Sequence, residues 1–299
     1  MGTPEFAVPS LQILVENGYN VVGVITAPDK PSGRGLQLNP SPVKVYAESV
    51  GLNILQPEKL KNPEFLIDLQ KLNADVQVVV AFRMLPEAVW NMPSKGTFNL
   101  HASLLPQYRG AAPINWAIIN GEKETGATTF FLQQEIDTGD IILQEKEDIL
   151  DQDNIGTLYE KLMIKGASLV LKTIQQIDSG TVLPKPQIFS SEINQAPKIF
   201  KETCKIDWSK NALDVHNLVR GLSPYPAAFF TLNDKNCKLF LSQPEFQETD
   251  NEPFISDKKT FLKVKCGTGY ISIKDLQLEG KKKMTIEEFL RGTKIESVA

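Results

Sequence analysis

Short apolar runs alternate with amphipathic segments from Phe6 to about Gly180. The runs contain many β-branched residues, whereas the segments between them repeat apolar residues at helical spacing. This alternation is typical of βα units arranged around a mostly parallel sheet. We predict strands over residues 21–26, 53–56, 75–82, 96–101, 128–132 and 141–148.

Helix signals lie between these strands. Ser41 followed by Pro42 is a cap and first-turn pair, which predicts a helix that stops at Gly51. A further helix is predicted over residues 63–72. Residues 155–177 repeat apolar positions at helical spacing and end close to Gly180, so we expect one long helix that closes the first domain.

The pattern changes after residue 183. Residues 184–204 lose the periodicity, which predicts a linker between a first domain over residues 1–183 and a second over residues 205–299. The second domain should contain a helix over residues 211–222 and a last helix that begins at a capping box formed by Thr285 and Glu288. Short strands over residues 227–232, 238–241, 261–265 and 270–278 predict a small barrel or sandwich.

The first residues depart from this scheme. A doubly wound fold begins with a strand that leads into its first glycine turn, yet Gly2 follows directly on Met1. Neighbouring strands would lose ladder partners, and each buried backbone group left unsatisfied costs about 1 to 3 kcal/mol. We therefore expect an upstream in-frame segment that encodes roughly 5 to 8 apolar, β-branched residues, which is the usual strand length.

Composition restricts the class of protein. Of the 299 residues, 41% are hydrophobic, which is enough for two ordinary cores. No apolar run approaches the roughly 20 residues that span a bilayer, and no signal pattern begins the chain, so we expect a cytoplasmic protein. Cys204, Cys237 and Cys266 have spacings that fit neither a disulfide framework nor a zinc site, and we expect reduced, buried thiols.

The net charge of −4 argues mildly against a nucleic-acid-binding protein, because phosphate neutralisation requires clustered Lys and Arg. The charge is unevenly distributed, since residues 205–299 carry 15 Lys or Arg against 13 Asp or Glu. A weakly basic C-terminal face is compatible with this distribution.

A polar pair lies where an apolar strand ends. Asn99 and His101 are two residues apart, so the alternation of a strand directs both side chains to one face. Ligands of open parallel sheets bind in the crevice beyond the carboxyl ends of the strands. The chain has only two histidines, and His101 is the candidate general base. The alternative interpretation is a satisfied polar pair at a strand end.

An acidic loop, residues 137–140 with the sequence Asp-Thr-Gly-Asp, lies between two predicted strands. A carboxylate at Asp137 would orient an imidazole and stabilise its protonated form. A structural turn is the alternative interpretation, since Asp and Gly are common in loops. Calcium binding is a weaker alternative, because the loop is short and supplies few oxygen ligands.

Basic residues mark two further segments. The loop over residues 27–42 and its flank contain Lys30, Arg34 and Lys44, and an ordinary solvated loop accounts for them without any ligand. Residues 281–283 are three consecutive lysines, which form a solvated turn or a phosphate contact. His216 lies within an amphipathic segment, and we interpret it as structural.

These motifs resemble those of the folate-dependent formyltransferases. Asn99, His101 and Asp137 match the Asn-His-Asp set of that family. Its folate loop is matched by Ser103, Leu104, Leu105 and Pro106. Other segments narrow the resemblance to the methionyl-tRNA formyltransferases: GTPEFA at 2–7, GRG at 33–35, PSPVK at 40–44, YRGAAPI at 108–114, IDTGDI at 136–141 and IDW at 206–208.

The resemblance implies a Rossmann-like N-terminal domain, an OB-like C-terminal β-barrel and a monomeric enzyme without a metal. Its formyl donor would be 10-formyltetrahydrofolate and its acceptor the amino group of initiator methionyl-tRNA. It also implies that Lys30, Arg34 and Lys44 belong to a loop that enters the tRNA acceptor stem. Leu36 and Gln37 stand where some relatives have lysines, so the loop's electrostatic contribution would be smaller here.

Formyl transfer defines the role expected of each matched residue. His101 would accept the proton of the attacking amine, Asp137 would stabilise the imidazolium, and Asn99 would donate to the developing oxyanion. Alternatively, Asp137 would bind an ordered water and Asn99 would mainly position the folate. Two rival functions remain: a formyltransferase acting on a sugar amine or a purine precursor, and a non-catalytic folate- or RNA-binding protein.

Overall fold

The computed structural model describes residues 1–32, 37–188, 192–246 and 252–299. The helices are α1 (Val8–Glu16), α2 (Pro42–Ser49), α3 (Pro63–Lys71), α4 (Glu87–Trp90), α5 (Pro113–Ile119), α6 (Ile155–Ser179), α7 (Ala212–Leu222) and α8 (Ile286–Leu290). The first nine strands are β1 (Val24–Ile25), β2 (Lys30–Ser32), β3 (Gln37–Asn39), β4 (Ile54–Leu55), β5 (Gln77–Val80), β6 (Thr97–His101), β7 (Arg109–Gly110), β8 (Glu124–Phe131) and β9 (Ile141–Asp148). The remaining seven are β10 (Gln195–Ala196), β11 (Ala228–Leu232), β12 (Lys235–Glu245), β13 (Phe254–Ser256), β14 (Leu262–Lys265), β15 (Tyr270–Leu278) and β16 (Met284–Thr285).

The chain divides into two compact units. Unit 1 comprises Met1–Arg109, Thr125–Glu147 and Tyr159–Asn194, and unit 2 comprises Gly110–Glu124, Asp148–Leu158 and Gln195–Ala299. No helix among the described residues is long and apolar enough to cross a membrane.

Unit 1 is built on β-strands with helices between them. Four strands pair in the order β5-β6-β8-β9, in which β5 and β6 are parallel and β6 and β8 are antiparallel. Strands β1 and β4 form a separate parallel pair. This arrangement confirms the predicted Rossmann-like α/β domain.

Local sequence explains where the helices of unit 1 begin and end. The hydroxyl of Ser41 accepts a hydrogen bond from the backbone N–H of Lys44 at 3.1 Å, which caps α2 as predicted. Helix α6 ends at Ser179, and Gly180 follows with a φ of 67°, a conformation that glycine adopts without steric strain. Leu162, Leu169 and Val170 of α6 are buried, as the helical spacing predicted.

Gly2 lies between β1 and β5. Its N–H donates to the carbonyl of Ile25 at 3.1 Å, and it forms a parallel bridge with Val80. The amino group of Met1 donates to the carbonyl of Val78 at 2.6 Å, and burial lowers the pKa of this group to about 5. These first two residues therefore join two strands that have no other ladder connection in the part of the chain that the structure describes.

An apolar cavity continues from this bridge. Its volume is about 410 Å³, and it is lined by Met1, Leu14, residues 19–25, residues 72–78 and Ile174, among others. In the described part of the chain, no backbone hydrogen bond joins residues 21–23 to another segment. The predicted strand over residues 21–26 is consequently reduced to Val24–Ile25, because its first half has no backbone partner among the described residues.

Unit 2 contains the C-terminal β domain. Five strands form an antiparallel path in the order β11-β12-β15-β14-β13, and β16 pairs with β15. Strand β12 shifts register twice against β15, between Leu239 and Ser242, and such irregularities bend a strand. Asn211 caps α7, and Thr285 with Glu288 forms the predicted capping box of α8. The prediction of a small C-terminal β domain is confirmed.

The core of the C-terminal domain is apolar and contains all three cysteines. Cys204, Cys237 and Cys266 are buried and unbridged, as predicted. Burial raises the pKa of the Cys237 and Cys266 thiols to about 12 each. Thiols with such pKa values are protonated at neutral pH and act as small apolar side chains.

Candidate active site

Strand β6 presents the predicted polar pair at its carboxyl end. His101 is 7% exposed, and its Nε2 lies 2.9 Å from the backbone carbonyl oxygen of Tyr108. A carbonyl oxygen only accepts hydrogen bonds, so Nε2 must carry the proton in this contact. In the neutral ring, Nδ1 then has the free lone pair and is the nitrogen able to accept a proton.

The acidic loop faces that nitrogen. Oδ2 of Asp137 lies 3.9 Å from Nδ1 of His101, and the two side chains are 12% and 7% exposed. The structure thus brings together two residues that are 36 positions apart in the sequence. A carboxylate this close stabilises a positive charge on the ring more strongly than in water, because both groups are largely buried.

Backbone geometry holds the acidic loop against β8. Asp137 has a φ of 56°, in the left-handed region. A Cβ atom at Gly139 would lie 1.7 Å from the carbonyl oxygen of Phe131, so only glycine fits there. The hydroxyl of Thr138 donates to the carbonyl of Glu135 at 3.0 Å. The conformation of this loop is therefore compatible with the turn interpretation as well as with a catalytic role for Asp137.

Asn99 shares the strand face of His101 by alternation and is half-buried. Its neighbours in the sheet are Val79 on β5 and Phe130 on β8. No hydrogen bond of its side chain is found among the described residues, so both N–H groups of the amide are available to a ligand.

The predicted folate loop is a tight, internally bonded turn. Ser103 is fully buried, and its hydroxyl donates to the carbonyl of Gln107 at 2.6 Å, so that hydroxyl is engaged within the protein. The backbone of Leu105 is held by Thr128 and Gln144. Leu104 and Pro106 remain half-exposed, and they are the side chains of this loop that a ligand can contact.

The predicted tRNA-binding residues have different environments. Lys30 is exposed at the start of β2. Lys44 forms an ion pair with Asp29 at 2.5 Å and a longer one with Glu48 at 3.8 Å. The hydrogen bond to Asp29 raises the pKa of the Lys44 ammonium, so this charge is already paired within the protein. Arg34 lies outside the described residues.

Two of the other basic residues, His216 and Lys283, have partners within the protein. Nδ1 of His216 lies 3.0 Å from the hydroxyl of Ser242, and burial lowers the pKa of this imidazole to about 4. Lys283 pairs with Asp275 at 3.1 Å and lies over the ring of Phe240 at 5.0 Å.

Two side chains near Asp137, those of Arg109 and Gln187, were not predicted to belong to the site. Arg109 lies close enough to Asp137 and Glu135 for their charges to oppose the lowering of its pKa by burial. Gln187 is 6% exposed and donates to the carbonyl of Asp137 at 2.9 Å. The arginine within the motif at 108–114 was a usable signal, whereas Gln187 lies within the segment without periodicity, which gave none.

Two family models match different parts of the chain. Residues 1–174 match the family model of formyl transferase, and residues 198–294 match that of the formyl transferase C-terminal domain. A methionyl-tRNA formyltransferase of Bacteroides fragilis is 54% identical over 302 residues, which cover 98% of this chain and 93% of that protein. Another from Phocaeicola vulgatus is 56% identical over 304 residues, with coverage of 98% and 94%.

Solved structures with the same fold are more distant in sequence. A sugar 3N-formyl transferase, solved with dTDP and 5-N-formyl-THF, has a TM-score of 0.69 at 22% identity and covers 94% of this chain and 97% of its own. An N-formyltransferase of Helicobacter canadensis has a TM-score of 0.67 at 21% identity, with coverage of 95% and 97%. These likenesses describe the fold alone.

Proposed function

Because this chain belongs to the formyl transferase family, we propose that it transfers the formyl group of 10-formyltetrahydrofolate to the amino group of methionyl-tRNA. The observation that carries the proposal is the 3.9 Å approach of the Asp137 carboxylate to Nδ1 of His101, at the end of a strand that also presents Asn99. The identity to methionyl-tRNA formyltransferases over nearly the whole chain supports tRNA as the acceptor.

His101 acts as the general base of this reaction. The attacking amine forms a C–N bond to the formyl carbon and must lose a proton as it does so. Nε2 of the ring is bonded to the carbonyl of Tyr108, so Nδ1 takes the proton. When the bond between the formyl carbon and the folate nitrogen breaks, the same nitrogen of His101 returns a proton to the departing amine.

Asp137 and Asn99 stabilise the two charges that develop in this step. The Asp137 carboxylate lies next to the nitrogen that becomes positive, which favours the imidazolium. The amide of Asn99 donates to the formyl oxygen as it becomes negative. The environment of the Asn99 side chain supports this role, because the side chain is half-buried and has no hydrogen-bond partner among the described residues.

Folate supplies the formyl group when it is bound. Leu104 and Pro106 offer half-exposed apolar surface beside β6, which suits the flat face of a pterin ring. Ser103 and Leu105 contribute through backbone shape, because both side chains are buried and the Ser103 hydroxyl is engaged by Gln107.

A direct assay tests the proposal. The protein is incubated with 10-formyltetrahydrofolate and methionyl-tRNA, and the product is analysed for formyl-methionyl-tRNA. A parallel reaction replaces the tRNA with an amino sugar nucleotide, because the fold is shared with sugar formyltransferases. Formylation of the sugar alone would reject tRNA as the acceptor, and formylation of neither would reject an enzymatic role.

The loop that carries Lys30 and Arg34 is proposed to contact the tRNA. Replacing Arg34 by alanine is expected to raise KM for methionyl-tRNA far more than KM for folate, since residues 103–106 are a separate segment of the chain. Lys30→Ala should also reduce the slope of log KM against log salt by about one, as expected for one lost phosphate contact. Steady-state kinetics with each substrate varied measures both effects.

Lys44→Met compares a lysine whose ammonium is paired within the protein with the exposed Lys30. Because the Lys44 ammonium is paired with Asp29 and Glu48, its replacement is expected to change the salt slope less than Lys30→Ala does, and a change by a full unit would place Lys44 among the phosphate contacts. Equal increases of both KM values in Arg34→Ala would contradict the proposal, because they indicate a folding defect.

A further inference from the structure

The segment that follows α6 contributes a side chain to the candidate active site. Lys185 forms an antiparallel bridge with Ile141, with N···O distances of 2.8 and 2.9 Å. This pairing brings Gln187 alongside the acidic loop, where it is 6% exposed. A glutamine this buried requires hydrogen bonds for both ends of its amide.

The amide of Gln187 is fully bonded within the site. Its Nε2 donates to the carbonyl oxygens of Asp137 and Gly139, each at 2.9 Å, and its Oε1 accepts from Nη2 of Arg109. The opposite orientation would face Oε1 against two carbonyl oxygens, which cannot donate. The bonding pattern therefore fixes the direction of the amide.

We propose that Gln187 is a positioning residue for formyl transfer, which holds the backbone of Asp137 and thereby keeps its carboxylate against Nδ1 of His101. This inference rests on the proposed function. The φ of 56° at Asp137 supports it, because a residue in the left-handed region stays there only when its surroundings hold it. The two hydrogen bonds from Nε2 provide that restraint on both sides of Thr138.

The expected effect is on turnover and not on substrate binding. A displacement of a catalytic group by about 1 Å lowers rates by up to about 100-fold. In the described part of the chain, Gln187 has no hydrogen bond to residues 103–106, so the proposed folate contacts should persist when it is replaced.

Two substitutions separate the functions of the amide. Gln187→Ala is expected to lower kcat by about 10- to 100-fold while KM for each substrate stays within about twofold. Gln187→Glu preserves the length and the acceptor for Arg109 but removes the donor, and a similar loss of kcat is expected. Gln77→Ala is the matched control, because Gln77 is equally buried at 7% exposure but lies on β5, bonded to Thr97.

A double-mutant cycle distinguishes positioning from general stability. If Gln187 acts through the carboxylate of Asp137, adding Gln187→Ala to Asp137→Ala causes no further loss of single-turnover rate. Multiplied losses in the double variant, or wild-type kcat in Gln187→Glu, would overturn the inference. Full activity in Asp137→Ala alone would instead reject the catalytic assignment of Asp137, so the two proposals fail separately.

Discussion

Replacement of His101 by alanine is expected to lower the rate of formyl transfer by about 100- to 10,000-fold, the usual contribution of a general base. Asp137→Ala should have an effect of the same order, because a base loses efficiency when its protonated form is not stabilised. Single-turnover formation of formyl-methionyl-tRNA measures both losses. Thermal unfolding of each variant shows whether the fold is intact.

His216→Ala is the control for this prediction. His216 is the second histidine of the chain, and its ring is bonded to Ser242 in the C-terminal domain. We expect this variant to lose stability but to retain wild-type kcat. If His101→Ala or Asp137→Ala kept more than about a tenth of the wild-type rate, the role assigned to that residue would be wrong.

Extension of the chain before Met1 by five to eight apolar, β-branched residues is expected to raise Tm by several degrees. The cavity of about 410 Å³ lies between residues 21–23 and residues 75–78, which are the neighbours a parallel strand would have. Filling it would bury apolar surface and add ladder hydrogen bonds. Together these exceed the 1 kcal/mol that shifts Tm of a mid-sized domain by about 2 to 4 °C.

The pH dependence of stability gives this prediction a second readout. The pKa of the Met1 amino group is about 5 in the folded chain and 8.0 without burial, so the unfolded chain binds more protons between these values. The contribution of this amino group to stability therefore rises with pH from about 5 to 8, and it is least favourable below pH 5. In the extended chain a peptide amide replaces this amine. The free energy of unfolding should therefore depend less steeply on pH between 5 and 8 than in the original chain.

A polar extension of the same length, with alternating Asp and Ser, is the control for the added length. Urea unfolding at pH 5.5 and pH 8 compares the three proteins. Equal stability and equal activity of the apolar extension and the original chain would contradict the prediction, since the sheet would then be complete without a further strand.

The hydrophobic pattern predicted a helix or strand well where one face of that element is more buried than the other. Strand β9 has the predicted bounds, because its residues from Leu143 to Asp148 alternate between half-buried and exposed positions. Helix α5 was missed: its sequence, PINWAII, is apolar nearly throughout, and Ala112 before it provides no side-chain cap. The hairpin of β2 and β3 was also missed, since Pro31 and the polar residues around it resemble a loop.

Part of the candidate site was predictable because it depends on local sequence alone. The spacing of Asn99 and His101 reveals a shared strand face, because that relation is local. The approach of Asp137 to Nδ1 depends on the pairing of β6 with β8, which periodicity does not specify. The orientation of the His101 ring depends on a backbone carbonyl seven residues away, and no side-chain motif encodes it.

The hydrogen bonds between Gln187 and the acidic loop also bear on how the catalytic part of the chain can be isolated. The family model of the N-terminal domain ends at residue 174, and α6 ends at Ser179. A fragment cut at either point would contain His101 and Asp137 but neither Lys185 nor Gln187. The smallest fragment that retains these contacts extends beyond Gln187, and during synthesis the loop acquires them only after that residue has left the ribosome.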